Sequence, residues 1–200
     1  MLPVMAVERS LEGEVRSLVM LSLSVFIVLS WTMAIVEPGP VQWACIMYAM
    51  LLIFSGVFVL IYPGGLRLGV IRWSYVVPGA AAGITVGALV EVLGGPGLPP
   101  GTISAVLALV VAPVVEELFF RGAVLRVVDA FIPEKAVVYG IVAGLFAAYH
   151  LIVWSAAPLA AMPYFAFGVL QCWLADRYDL AACITTHFCM NLAIMVLALA

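Results

Sequence analysis

The chain has 200 residues, 66% of them apolar and 10% charged, with a formal net charge of −3. Soluble domains run nearer half apolar and a quarter charged, and the mean hydropathy of +1.26 points the same way. This excludes a water-soluble core, and the absence of a basic stripe excludes a nucleic-acid partner.

Residues 1–16 are mixed and charged, with Glu8, Arg9, Glu12, Glu14 and Arg16, and read as a short interfacial segment. Ser17–Val36 is apolar and long enough to span a bilayer. It is too long for a signal-peptide core, so it is expected to be a permanent helix. Glu37-Pro38-Gly39-Pro40 reads as a turn. Further spans are expected at Val41–Tyr62, Trp73–Leu93, Thr102–Val127, Ala136–Trp154, Pro158–Ala175 and Leu180–Leu199. Pro63-Gly64-Gly65, the Gly/Pro-rich stretch 94–101 and the segment around Pro133 separate them. The expected fold is an all-α polytopic transmembrane helical bundle of about seven spans, eight being the other count. It forms a single transmembrane domain over 17–200.

Arg9, Arg16, Arg67, Arg72, Arg126, Lys135 and Arg177 all fall on one side of a seven-span arrangement. The excess of Lys and Arg in cytoplasmic loops then places the N-terminus in the cytoplasm. Trp31, Trp43, Tyr62, Trp73, Trp154, Trp173 and Tyr178 lie near span ends, as an aromatic belt requires. Cys45, Cys172, Cys183 and Cys189 sit in apolar runs without a C-x-x-C pair, and read as small buried hydrophobes.

Ionisable groups inside a span cost several kcal/mol each. The fourth span nevertheless contains Glu116, Glu117 and Arg121. Glu117 and Arg121 are four apart and share a helix face, so they can pair. Glu116 points about 100° away from Glu117, so pairing leaves it unexplained. The only two histidines, His150 and His187, also lie in apolar helices, and Asn191 shares a face with His187. A single histidine in a span is usually a packing residue. Two of them, with an unpaired Glu and an Asn on three helices, fit acid–base or metal chemistry. A carboxylate shielded from water is a stronger base when ionised, imidazole can share its proton or bind a metal, and an amide can donate to an oxyanion.

Three motifs carry a resemblance: Glu-Glu-Leu-Phe-Phe-Arg at 116–121, Phe-Ala-Ala-Tyr-His at 146–150 and His-Phe-Cys-Met-Asn at 187–191. Over about residues 102–199 the chain resembles the CAAX-protease and bacteriocin-processing (Abi) family of intramembrane endopeptidases. The resemblance implies hydrolysis of a peptide bond in a membrane-associated or lipidated, CAAX-like protein. It implies Glu116 as the base that activates water, His150 as a group that positions it, and His187 and Asn191 as oxyanion donors. Glu117 and Arg121 are then supporting residues, and Phe146 a packing residue.

A metal-free mechanism is favoured, since the H-E-x-x-H framework is absent and since it gives Asn191 a role. Zinc held by Glu116, His150 and His187 with an open position is the alternative. A transporter or proton-translocating protein would also use buried Glu and His, though no inverted repeat is visible. Phe119, Phe120, Phe165 and Phe167 read as lipid-facing packing or as the lining of a lateral opening. At about 1.5 Å per residue, His150 counts to roughly 22 Å from the boundary at Lys135, His187 to about 10 Å from Leu180, and Glu116 to about 15 Å from Arg126. The three are expected to meet only if the fifth helix starts below the surface or tilts.

Overall fold

The computed structural model describes residues 40–61, 68–95 and 102–199. The interfacial segment 1–16, the first expected span, the Glu37 turn, Tyr62 and Pro63-Gly64-Gly65 lie outside the described residues. The chain divides into two compact units, Met1–Trp43 and Ala44–Ala200. Of the first, only the opening turn of one helix is described, and the site lies wholly in the second.

The described residues are helical throughout, with short connections. In chain order the helices are α1 (Pro40–Ile61), α2 (Trp73–Val92), a long α3 (102–131), α4 (Lys135–Val153), α5 (Ala161–Arg177, preceded by a 3-10 turn at Pro158–Ala160) and α6 (Leu180–Ala198). The five helices α2–α6 are long and apolar enough to cross a membrane, and α1 carries a shorter apolar stretch, Gln42–Phe58. Large apolar side chains such as Trp73, Val92, Ile152 and Met162 are fully or largely exposed. In water that would be costly. In a bilayer it is the ordinary outer face of a bundle.

Without a hydrophobic force between helices, packing in lipid depends on close approach of backbones. The α2–α6 pair shows how. Gly79, Gly83 and Gly87 recur every four residues on one face of α2. A β-carbon at Gly83 would collide with the Thr186 carbonyl, and one at Gly87 with the Met190 carbonyl. This glycine stripe presses α2 onto the stretch of α6 that contains His187. Gly168 of α5 does the same against Ala143 of α4, where a β-carbon would come within 2.7 Å of the Ala143 Cα.

α3 is not a uniform α-helix. Its α-helical segments Thr102–Val106, Ala112–Glu117 and Leu125–Phe131 are separated by π-helical turns at Leu107–Val111 and Leu118–Val124. The first π-turn has a cause in the sequence. Pro113 has no N–H to give, so the ladder must shift there, and the Ala112 N–H reaches back five residues to Leu107. The Ala108 carbonyl is then left over. Its α-register donor, Ala112, is taken, and its π-register donor would be Pro113. π-turns of this kind concentrate at functional sites.

One end of the bundle is tied by charge. Asp176 at the end of α5 accepts from Arg126 Nη1 at 2.8 Å, from Lys135 Nζ at 2.8 Å and from the Tyr139 hydroxyl at 2.9 Å. Lys135 also meets Asp129 at 2.7 Å. Arg126 and Lys135, expected on the same side of the membrane, are thus at the same end of the bundle. At the other end Ser155 adopts φ 54°, a left-handed conformation that is uncommon for a residue with a side chain. The turn is closed by Ala156 N–H donating to the His150 carbonyl at 3.2 Å and Ala157 N–H to that of Gly94 at 2.8 Å.

Candidate active site

The fully buried centre of the bundle is polar. Glu116, Glu117, Arg121, Gln171 and His187 are each at most 2% exposed, and His150 6%. α3 supplies the carboxylates and the guanidinium, α4 His150, α5 Gln171 and α6 His187.

The two adjacent glutamates face different partners, as helical spacing predicts. Glu117 Oε1 accepts from Arg121 Nη1 at 3.1 Å, from Gln171 Nε2 at 3.5 Å and from His187 Nδ1 at 2.7 Å. Glu116 turns toward the histidines. Its Oε2 lies 3.8 Å from His150 Nε2 and 3.8 Å from His187 Nε2, and no hydrogen-bond partner reaches it among the described groups. Its Oε1 accepts from the Tyr149 hydroxyl at 3.4 Å.

Each imidazole is fixed from behind. His150 Nδ1 donates to the Phe146 carbonyl at 2.9 Å, and its ring stacks on Tyr164, centroids 4.0 Å apart. His187 Nδ1 donates to Glu117. Both Nε2 atoms are therefore left toward Glu116 Oε2. Phe146 sits beneath all of this. It is completely buried, Arg121 lies over its ring at 4.4 Å, and it touches both imidazoles. Packing is an incomplete description of it, because its carbonyl sets the tautomer of His150 and its ring carries the charge that neutralises Glu117.

Asn191 lies one turn beyond His187 on the same face of α6. Its Nδ2 donates at 2.7 Å to the Ala108 carbonyl, the group orphaned by Pro113. One amide hydrogen is committed there, and the other meets no acceptor among the described residues. Asn191 makes no direct hydrogen bond to Glu116, His150 or His187.

Glu116, His150 and His187 meet despite their different counts from the span ends, although α4 begins at Lys135 as expected. Counting from ends treats the ends as level, whereas the packing register is what sets depth. Gln171 Nε2 bonds the Cys183 carbonyl at 2.9 Å, which puts His187 one turn beyond that level. His150 stacks on Tyr164, seven residues before Gln171. The difference in depth is then only about 4–5 Å, which side chains can bridge.

Gln171, Tyr149 and Tyr164 escaped the sequence reading. Gln171 had a signal, as a single amide in an otherwise apolar stretch of α5. The tyrosines carried no signal of their own, because a tyrosine in an apolar run is ordinary. Of the phenylalanines, Phe120 and Phe167 are buried and Phe165 is exposed, so they do not form one lining. Cys172 and Cys183 are buried, Cys189 is partly so, and Cys45 is exposed.

Glu116 Oε2 lies 3.8 Å from each of the two Nε2 atoms, against roughly 3.4 Å between ligands of a tetrahedral zinc ion with bonds of about 2.0–2.1 Å. Among the described residues no three His, Cys, Asp or Glu side chains are placed to hold a metal ion.

Residues 98–193 match the model of the type II CAAX prenyl endopeptidase Rce1-like family. No curated relative and no solved structure matches the chain. The matched region, just under half of the chain, contains every residue of the buried cluster, and over that region the chain is similar to the type II CAAX prenyl endopeptidases.

Proposed function

We propose that Glu116 is the general base of a water-mediated peptide hydrolysis, with His150, His187 and Asn191 as the other catalytic residues. The observation that carries this reading is the convergence of Glu116 Oε2 with two Nε2 atoms at 3.8 Å each. A water oxygen about 2.8 Å from each atom of either pair spans such a gap. Glu116 takes a proton from that water while His150 holds it in line. The oxygen attacks the scissile carbonyl, and the proton passes to the leaving amine. The oxyanion that forms faces the uncommitted Asn191 amide hydrogen and His187. A proton at His187 Nε2 makes it a donor, and the Glu117 carboxylate 2.7 Å behind stabilises the resulting cation. Glu117 and Arg121 support the site without touching the substrate.

The substrate class in this reading is a lipidated or membrane-associated protein cleaved near a CAAX-like C-terminus. The chain is read as seven spans with the N-terminus in the cytoplasm. The shared end of Arg126 and Lys135 supports this topology, because positive charge accumulates on the cytoplasmic side.

The test is cleavage of a farnesylated CAAX-type reporter peptide by purified protein in proteoliposomes. Glu116→Ala should remain folded and lose cleavage, as should His150→Ala and His187→Ala. Full activity in all three would sink the reading. Comparing membrane proteomes with and without active Glu116 would then identify the natural substrate as the protein that accumulates uncut.

A further inference from the structure

The hydrogen bond between His187 Nδ1 and Glu117 Oε1 joins α6 to α3, and it aims His187 Nε2 toward Glu116. Its two ends belong to different helices, so their register must be held. A third helix does this through one side chain. Gln171 of α5 is fully buried, and its Nε2 has two hydrogens to give. One goes to Glu117 Oε1 at 3.5 Å and the other to the Cys183 carbonyl at 2.9 Å. Cys183 lies four residues before His187 in α6, so its carbonyl is the one that the α-helical pattern pairs with the His187 N–H. Gln171 therefore touches the carboxylate partner and the main-chain partner of His187 together. Cys183 returns a contact, its Sγ donating to the Gln171 carbonyl at 3.3 Å.

The amide can sit only one way round. Reversed, its oxygen would face a carboxylate oxygen and a carbonyl, and neither can donate. In the orientation its neighbours dictate, Gln171 Oε1 is buried with no hydrogen-bond partner among the described groups. A buried acceptor left unpaired costs stability, and such an orphan in a native fold calls for a reason. Stability does not supply one. Without Gln171, Glu117 Oε1 still accepts from Arg121 at 3.1 Å and from His187 at 2.7 Å. The Cys183 carbonyl keeps its helical donor, and the orphan is gone.

We propose that Gln171 is a positioning residue for His187, its amide bridging Glu117 and the Cys183 carbonyl to set the His187–Glu117 hydrogen bond. The proposal rests on His187 serving the oxyanion, as read above. It adds a residue outside the three motif patterns, acting through His187.

Gln171→Met keeps the length of the side chain and removes its hydrogen-bonding groups. In proteoliposomes with the farnesylated reporter it should lower kcat by about tenfold or more and leave KM little changed. Its melting temperature in detergent should stay at or above that of the unaltered protein. Full kcat, or a melting temperature that falls together with kcat as a merely structural role requires, overturns the proposal. In Glu117→Gln the carboxylate is already gone, so adding Gln171→Met should cost less than the product of the two separate losses. A fully multiplicative loss places the action of Gln171 elsewhere and overturns the proposal. His187→Ala is measured alongside. If His187→Ala keeps full activity, the catalytic reading of His187 fails and takes the proposal with it. If it is dead and Gln171→Met keeps full kcat, the role of Gln171 alone is overturned. A readout independent of cleavage uses the two histidines of the chain. In protein labelled with 15N-histidine, the His187 imidazole signal is the one lost in His187→Ala. It should move in Gln171→Met, and a signal that stays in place, or moves no further than that of His150, overturns the proposal.

Discussion

His187 Nδ1 and Glu117 Oε1 lie 2.7 Å apart with both side chains fully buried, and this contact changes the meaning of the Glu117–Arg121 pair. Arg121 and Gln171 hold the same oxygen, so one carboxylate atom joins α3, α5 and α6. Glu117 is therefore both a neutralising partner for Arg121 and the group that fixes His187. Glu117→Gln preserves the shape but cannot stabilise a protonated imidazole. It should lower kcat by about 10–100-fold, in the range seen when a group supporting a functional histidine is lost, with KM little changed. Steady-state kinetics on the reporter checks this.

Removing the other end of the pair tests stability. Arg121→Met leaves Glu117 without its cation in a site that excludes water. Breaking a buried ion pair from one side costs about 3–5 kcal/mol. Thermal unfolding in detergent should show a large loss for Arg121→Met. For Arg121→Met/Glu117→Leu it should show a smaller loss, because the double change removes the uncompensated charge even though His187 then loses its partner. A double variant less stable than the single one would contradict this account.

These two residues also show what the sequence made legible. The i, i+4 spacing of Glu117 and Arg121 within an apolar run was enough to pair them and to set Glu116 apart. The bundle class, five of the span positions and the three motif groups could be read the same way, because bilayer crossing and helical periodicity are local properties. The depth of His150 could not, since it depends on the register of α4 against α5 and of α5 against α6. Nor could the second partner of Glu117, because a contact seventy residues away leaves no spacing signal. The glycine stripe of α2 was readable in principle. It repeats every four residues, but its partner helix was not.

That stripe gives a paired prediction about packing at a distance from the chemistry. Gly83→Leu forces a side chain into the Thr186 carbonyl, next to His187. The α2–α6 pair must separate, at a cost of about 1–3 kcal/mol or more, and cleavage should fall with it. Gly140, in the middle of α4, has open space where a β-carbon would go. Gly140→Ala should leave cleavage unchanged and stabilise by up to about 1 kcal/mol through helix propensity. Parallel melting curves and reporter assays on the two variants distinguish a contact requirement from a general intolerance of α-carbon substitution.

Metal dependence gives a direct prediction. On the metal-free reading, protein purified without added metal should contain far less than one equivalent, and chelator treatment should leave kcat unchanged. Elemental analysis and activity after dialysis against chelator measure this together. Stoichiometric zinc, with activity lost on removal and restored on return, would mean that the cluster contracts around an ion.

Asn191 offers the most specific link from backbone to chemistry. Its side chain is held at 2.7 Å by the Ala108 carbonyl, and that carbonyl is free because Pro113 cannot donate. Pro113→Ala supplies an N–H in the π-register, which competes for the same acceptor. Asn191 should then lose its fixed orientation without being altered itself. If its remaining amide hydrogen serves the oxyanion, Pro113→Ala should lower kcat several-fold, while Asn191→Ala lowers it by about 10²–10³, the usual loss for one oxyanion donor. In the Asn191→Ala background the Pro113→Ala change should have no further effect on kcat, because its target is gone. A full multiplicative loss in the double variant would show that Pro113 acts on α3 in some other way, and would remove the connection between the π-turn and the oxyanion site.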